Sequence, residues 1–328
     1  MSDGADVIGV DLGGTKVAVA RLRGGELSDS SVEPTELGDQ RRLIDQLVAM
    51  VQRCRGERLD GVGIGVPSVV EFATGRVVSS ANIPLADVPL REVLGGRLGV
   101  PVFVDNDATV AALAEAHDEQ LRMTARELVM LTVGTGVGGG MVLGGRIYRG
   151  ATGAAGELGH TLIGVELDDP APTGDRFPQP GSLERAASGH ALDALARAAA
   201  ASDPGGALGR VRAQGADVRG ADAVRCARDG DPGAGALVEL WARRLGIGIA
   251  NAINTFDPEE VVIGGGAAEA GELLIEPARA TAAAYVLPGA GRSTTIRLAR
   301  HGVRAGVLGA ALLAIHELRE AGGREDGR

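Results

Sequence analysis

An α/β protein of two domains is the fold class this sequence predicts. Short apolar runs alternate with longer stretches of helical periodicity, the pattern of sheets covered by helices. Two apolar hairpins with small-residue and threonine turns recur over a hundred residues apart, which suggests duplicated domains rather than a solenoid. The length, 328 residues, also exceeds what one domain of about 100–200 residues usually takes.

The elements follow in order. Val7–Val10 and Val17–Leu22 read as strands flanking a glycine turn, and Arg23-Gly24-Gly25-Glu26 turns toward a third. Asp39 is placed to cap a helix whose apolar residues Leu43, Ile44, Leu47, Val48 and Val51 share one face. Val62–Val66 reads as a strand ended by Pro67, Val100–Val104 as another, and Ala108–His117 as an alanine-rich helix. Leu128–Val133 and Gly138–Leu143 form the second hairpin around Gly134-Thr135-Gly136. Leu183–Ala200 and Ala236–Phe256 read as helices, Val261–Ile263 as a strand running into three glycines, and Val303–Leu318 as the last helix. Gly164–Gly181 is rich in Pro, Asp and Gly and reads as a loop, and the charged tail after Glu320 as frayed. The expected domains are 1–117 plus 303–328, and 118–302.

Composition removes several classes of function. A net charge of −10 and no arginine stripe argue against nucleic acid as a partner. Aromatics are only 2% of residues, so the cores must be built from Val, Leu, Ile and Ala. Cys54 and Cys226 lie far apart without metal-ligand spacing and read as inert thiols of a reducing compartment. The acidic N-terminus enters a strand within a few residues, so no signal peptide is expected. No apolar run approaches the roughly 20 residues of a membrane span. A cytoplasmic protein without membrane contact is expected.

The most informative residue is Lys16, the only lysine in a chain that otherwise uses arginine. A compact ammonium differs from a planar guanidinium, and here it closes the run Asp11-Leu12-Gly13-Gly14-Thr15-Lys16. A carboxylate at a strand end, a glycine turn, a hydroxyl and a cation are the parts that hold a metal-bound phosphate chain. An ordinary hairpin with a solvated lysine is the competing reading. Gly13-Gly14-Thr15, Gly134-Thr135-Gly136 and Gly264-Gly265-Gly266 all follow apolar strands. One such turn in a chain with 52 glycines carries little weight; three, with Thr15 and Thr135 in equivalent places, carry more.

Phosphoryl transfer to an alcohol also needs a base. Asp105-Asn106-Asp107 lies between a strand and a helix, and capping that helix requires only one of the three. Asp107 is read as the base and Asn106, which both donates and accepts, as the residue orienting the alcohol. Glu157, His160 and Glu184 form a further polar set suited to the hydroxyls of a polyol. Spacing alone leaves Glu157 as a solvated charge, and His160 as an internally satisfied ring, equally open.

Taken together, DLGGTK, NDA, LTVGTGVGGG, GAAGELGH, GSLE and VVIGGG resemble the ROK family (repressors, open reading frames and sugar kinases), over nearly the whole chain. Among its members the chain looks most like the bacterial glucokinases. The resemblance implies an actin-like ATPase (ribonuclease H-like) fold of two α/β domains with a nucleotide and sugar cleft between them, the last helix returning to the N-terminal domain. It implies ATP with Mg²⁺ as the phosphoryl donor and a small sugar, foremost glucose, as acceptor. Asp11, Gly13, Gly14, Thr15 and Lys16 would form the first phosphate loop, with Asp11 serving the metal through ATP. Gly134, Thr135 and Gly136 would form the second, and Gly264, Gly265 and Gly266 would face the adenosine. Asp107 would take the hydroxyl proton, while Asn82, Asn106, Glu157, His160 and Glu184 would bind the sugar.

Two departures from the family pattern stand out. Its zinc motif carries three closely spaced cysteines; here 164–181 has none, and GCLE has become Gly181-Ser182-Leu183-Glu184. No structural zinc is therefore expected, and Pro170, Pro172, Pro178 and Pro180 are read as stiffening the loop instead. Leu85-Ala86-Asp87 replaces the usual tryptophan and glycine after Asn82-Ile83-Pro84, which weakens the case for glucose specifically. Fructose, mannose and N-acetylated amino sugars remain alternative acceptors. A sugar-sensing repressor is disfavoured, because only about six residues precede the first strand and the charge is wrong for DNA. A non-catalytic sugar binder is disfavoured by the retained Asn106-Asp107 pair. Family members are often dimers or tetramers.

Overall fold

The structure, a computed structural model, describes residues 4–80, 82–164 and 177–325. Strands β1 (Asp6–Leu12), β2 (Lys16–Arg23), β3 (Glu26–Leu27) and β4 (Ser31–Pro34) precede helix α1 (Gln40–Cys54). Then come β5 (Gly61–Val66), β6 (Val69–Glu71), β7 (Arg76–Ser79), α2 (Leu90–Leu98), β8 (Val102–Asn106) and α3 (Asp107–Glu115). Strands β9 (Leu128–Val133), β10 (Val137–Leu143) and β11 (Arg146–Ile147) follow. The helical part holds α4 (Leu183–Ala187), α5 (Gly189–Ser202), α6 (Ala207–Ala213), α7 (Gly220–Arg228) and α8 (Pro232–Phe256). The chain closes with β12 (Glu260–Gly264), α9 (Glu272–Tyr285), β13 (Thr295–Leu298) and α10 (Ala305–Glu325).

Two compact units result. The first comprises Met1–Leu128, Gly140–Gly156 and Arg300–Arg328; the second comprises Val129–Gly139 and Glu157–Ala299. Residues 118–128, 140–156 and 300–302 thus fall in the first unit, whereas the sequence reading assigns them to the second. Packing explains part of the difference: Gly140 lies against the backbone of Ala108 in α3.

In the first unit the strands run in the order β3-β2-β1-β5-β8, with β4 also on β2. Strands β1 and β2 are antiparallel, while β1, β5 and β8 are parallel. Side chains alternate across such a sheet. Ile8, Val10 and Ile64 join Leu43, Leu47, Leu90 and Leu94 in one buried cluster beneath α1 and α2. On the other face, Gly9 and Gly63 lie directly under α10. A Cβ on Gly63 would meet the carbonyl oxygen of Ala310, so only glycine admits the helix this close. Gly63→Ala should therefore cost about 1–3 kcal/mol by overpacking, read as a lowered thermal midpoint.

The second unit carries β9, the first half of β10, β12 and β13, and β10 then continues into the first unit to pair with β11. Its core joins Leu131, Val133 and Ile263 to Leu245, Ile249 and the single tryptophan, Trp241, in α8. With so few aromatics, aliphatic residues and alanine fill the rest. Asp231 caps α8 by accepting from Ala234 N, Pro232 opens the helix, and Asp257 ends it in a left-handed conformation (φ 44°).

Several predicted elements shift. Strand β8 extends to Asn106 because Asp105 and Asn106 stay in register with Gly65 and Val66. The expected helix Leu183–Ala200 is two helices, since Ser188 (ψ 170°) leaves helical geometry and caps α5 through Ala191 N. Val303 precedes the last helix in a short 3-10 turn, and α10 persists to Glu325 rather than fraying after Glu320. Pro170 and Pro172 lie outside the described residues. No helix among the described residues is long and apolar enough to cross a membrane.

Candidate active site

Within the first unit the predicted residues gather at the carboxyl ends of the parallel strands, where open α/β sheets bind ligands. Asp11 on β1 is level with Gly65 on β5, which is level with Asp105 on β8. Gly65 also adjoins the backbone of Asp107. The turn after β1 is tightly tied. Gly13 N donates to Lys16 O (2.9 Å), Thr35 Oγ1 to Gly13 O (2.7 Å) and Thr35 N to Thr15 O (3.0 Å). Thr15 and Lys16 are exposed at its tip, and Asn82 lies beside Gly14.

The Asp11 carboxylate is half-buried, lies against Gly306 of α10 and forms no side-chain hydrogen bond among the described residues. Burial raises its pKa from the ordinary aspartate value, and the nearby Lys16 ammonium opposes that. Such an under-satisfied carboxylate beside a glycine turn and a lysine fits a hydrated divalent cation carrying phosphates.

Asn106, rather than either aspartate, caps α3: its Oδ1 accepts from Ala108 N (2.9 Å) and Thr109 N (3.1 Å). Its Nδ2 donates to Ser68 O at 3.4 Å. Asp107 occupies the first turn, with Oδ1 accepting from Ala108 N at 2.8 Å, where the helix dipole favours negative charge. Asp105 points elsewhere. It is buried, accepts from Asn106 N (2.9 Å) and pairs with Arg149 Nε (2.7 Å). Arg149 also donates to Glu317 Oε1 (3.1 Å) and stacks over Phe72 at 3.4 Å from the ring centre. Of the three polar residues, Asn106 is the cap, Asp105 is locked in an ion pair with Arg149, and Asp107 opens the helix.

The second unit assembles the remaining candidates around the start of β10. Thr135 is exposed at the loop tip, Gly134 N donates to Gly136 O (2.9 Å), and Gly189 N at the start of α5 donates to Gly134 O (2.7 Å). Glu184 Oε2 accepts from Val137 N (2.7 Å), with its carboxylate against Gly136. Glu157 precedes and His160 ends a 3-10 turn in which Gly159 lies on Val137 O. Their side chains approach to 3.7 Å (Nε2 to Oε2). The His160 ring meets Phe177 edge-on, and its Nδ1 is buried without a hydrogen-bond partner among the described residues.

Gly265, at φ 79°, packs on the backbone of Val133, bringing the turn after β12 alongside β9. A cavity of about 640 Å³ opens there, lined by Gly134, Thr135, His190, Asp193, Arg219 and Gly266 among others. That volume suits a nucleoside. Gly266 lines it, whereas Gly264 packs on Met130 and Gly265 on Val133 instead of facing the cavity as expected. The sequence singles out none of His190, Asp193, Arg219 and Trp241; the first two lie on α5, Arg219 directly precedes α7 and Trp241 is on α8, and they share no motif in the sequence.

Among the described residues, the side chains do not fit a structural zinc. The chain has two cysteines, Cys54 and Cys226, both free thiols in the first and second unit respectively. No group of three or more His, Cys, Asp or Glu suited to a metal forms among the described residues, and 165–176 lies outside them.

The pattern of the ROK family matches residues 7–317. The chain belongs to the ROK family. It is 34% identical over 314 residues to a glucokinase of Halalkalibacterium halodurans, covering 93% of this chain and 94% of that protein. It is 30% identical over 323 residues to an N-acetyl-D-glucosamine kinase of Aliivibrio fischeri, covering 94% and 99%. A ROK family glucokinase from Streptomyces griseus, solved in complex with glucose and AMPPNP, superposes with a TM-score of 0.77 at 30% identity, covering 95% of this chain and 100% of that one. The fold expected from the resemblance, that of the ROK sugar kinases, is the fold observed.

Proposed function

We propose that this ROK family sugar kinase phosphorylates a hexose with ATP, glucose being the preferred acceptor and its 6-hydroxyl the nucleophile. The observation that carries the reading is Asp107, a carboxylate at the end of the parallel strands, in the first turn of α3 and beside Gly65. Asp107 is the base that takes the hydroxyl proton, and Asn106 Nδ2 steadies the acceptor. Asn82, Glu157, His160 and Glu184 complete the sugar contacts. Gly13–Lys16 and Gly134–Gly136 hold the phosphates, and the cavity beside Gly266 takes the adenosine. Asp11 would hold Mg²⁺, which would supply charge neutralisation at the phosphates. Such catalysis is mostly positioning and charge stabilisation. The reading requires both sets of residues to act on one pair of substrates.

Relatedness to glucokinases supports glucose. Relatedness to an N-acetyl-D-glucosamine kinase, with Leu85-Ala86-Asp87 beside Asn82, supports an amino-sugar acceptor as the second reading. The test is a panel of glucose, mannose, fructose and N-acetylated amino sugars against ATP and polyphosphate. Glucose with ATP should give the highest kcat/KM. No product with any pair would overturn the kinase reading.

Two further outcomes are expected. Lys16→Arg should raise KM for ATP while leaving KM for the sugar nearly unchanged, because the wider guanidinium cannot replace a point charge at the tied turn. Equal kinetics would return Lys16 to a solvated role. We also read the enzyme as independent of zinc: exhaustive zinc chelation in Mg²⁺ buffer should leave activity intact. Stoichiometric zinc in the purified protein would refute this.

A further inference from the structure

The first unit contains a second cavity, of about 520 Å³, to which none of the proposed substrate residues contributes. It lies between the C-terminal half of α10, the segment 117–126 and the turns at Gly24-Gly25 and Gly145. Its polar lining is cationic or imidazole: Arg122, Arg126, Arg319, His117 and His316. No carboxylate lines it among the described residues, in a chain whose net charge is −10. Leu22, Leu121, Met123 and Leu312 supply an apolar wall.

The two imidazoles stand edge to face, 5.5 Å between ring centres. His117 Nδ1 is engaged with Leu113 O at 2.8 Å. His316 makes no hydrogen bond among the described residues. Burial, together with His117, Arg319 and Arg146, pushes its pKa down to about 4. Three arginines and two imidazoles thus share one cavity with no carboxylate on its wall among the described residues. Arg122 is answered by Asp118 (2.8 Å) and Arg126 bonds Gly144 O (2.9 Å), which fixes both guanidinium groups in place.

We propose that this cavity binds a small phosphate-bearing metabolite, its phosphate received by Arg126, Arg319 and His316 and its organic part resting on the apolar wall. The volume falls in the range of small-molecule sites, and arginine forks match phosphate geometry. The site is separate from the phosphate turn at Gly13–Lys16.

The test uses the full chain and imidazole NMR, with His316→Gln to assign the resonances. Inorganic phosphate, glucose 6-phosphate and AMP are titrated in turn, with saturating Mg²⁺–AMPPNP present to fill the nucleotide site. Saturable shifts of His117 and His316 with glucose 6-phosphate or AMP, tighter than with inorganic phosphate, are expected. The tighter of the two organic phosphates identifies the source. Arg126→Gln with Arg319→Gln should weaken that binding by at least about 10-fold, since each removes a charge-assisted hydrogen bond, at an unchanged thermal midpoint. Absence of saturable shifts overturns the proposal. So does inorganic phosphate binding as tightly as either organic phosphate, or affinity unaltered in the double variant.

Discussion

Replacing Asp107 by asparagine is expected to lower kcat by at least about 10², the usual worth of a positioned general base. The thermal midpoint should hardly move. The N-terminus of α3 is capped by Asn106, whose Oδ1 bonds to Ala108 N and Thr109 N survive the change. Sugar affinity should also persist, because the amide keeps the shape and one acceptor of the carboxylate. A kcat within a few-fold of the parent, at the same midpoint, would remove Asp107 from the chemistry. The contrast with Asn106→Ala is informative, since that variant should lose about 0.5–2 kcal/mol of stability by uncapping the helix.

Arg149→Ala is expected to give the largest loss of stability, about 3–5 kcal/mol, because it leaves a buried carboxylate without its partner. Asp105 is 3% exposed and its Oδ2 has Arg149 as its charged partner at 2.7 Å. Burial raises the Asp105 pKa and Arg149 opposes that rise; Glu317, half-buried beside the same guanidinium, is raised for the same leading reason. Removing Arg149 leaves the burial effect opposed only by the Asn106 N–H and by Arg91. A carboxyl whose pKa is higher in the folded state binds more protons there, so its stabilising contribution is full at low pH and is lost as pH rises. The stability gap between parent and variant should therefore narrow from pH 8 to pH 5. Urea denaturation at the two values measures it, and a gap that widens on acidification would contradict the assignment.

These two residues also show what could be read from the chain alone. Asp107 was legible because three polar residues stood between an apolar run and an alanine-rich stretch, more than a cap requires. Which of them caps was not legible: aspartate and asparagine are equally good at that position, and the choice follows from the strand continuing through Asn106. Arg149 was invisible, since its partners lie 44 and 168 residues away and no local pattern marks it. The hairpins were readable from alternating apolar residues and glycine turns. Strands β6, β7 and β13 are three or four residues long, too short for periodicity to emerge. Helix α9 hides behind Pro277, a residue that ordinarily argues against a helix interior. Glu184 reads with Glu157 and His160 as a polar set, a reading the family resemblance strengthens; its local mark is Gly136, which leaves room for the carboxylate.

The passage of the backbone from one unit to the other at four points, after Leu128, Gly139, Gly156 and Ala299, has a practical consequence. No single cut of the gene yields either lobe whole. A fragment ending near residue 299 would lack α10, exposing the glycine-lined face of β1 and β5 that this helix covers. Lobe exchange with a relative therefore demands several coordinated junctions, and new specificities are more readily acquired by changing loops than by shuffling halves.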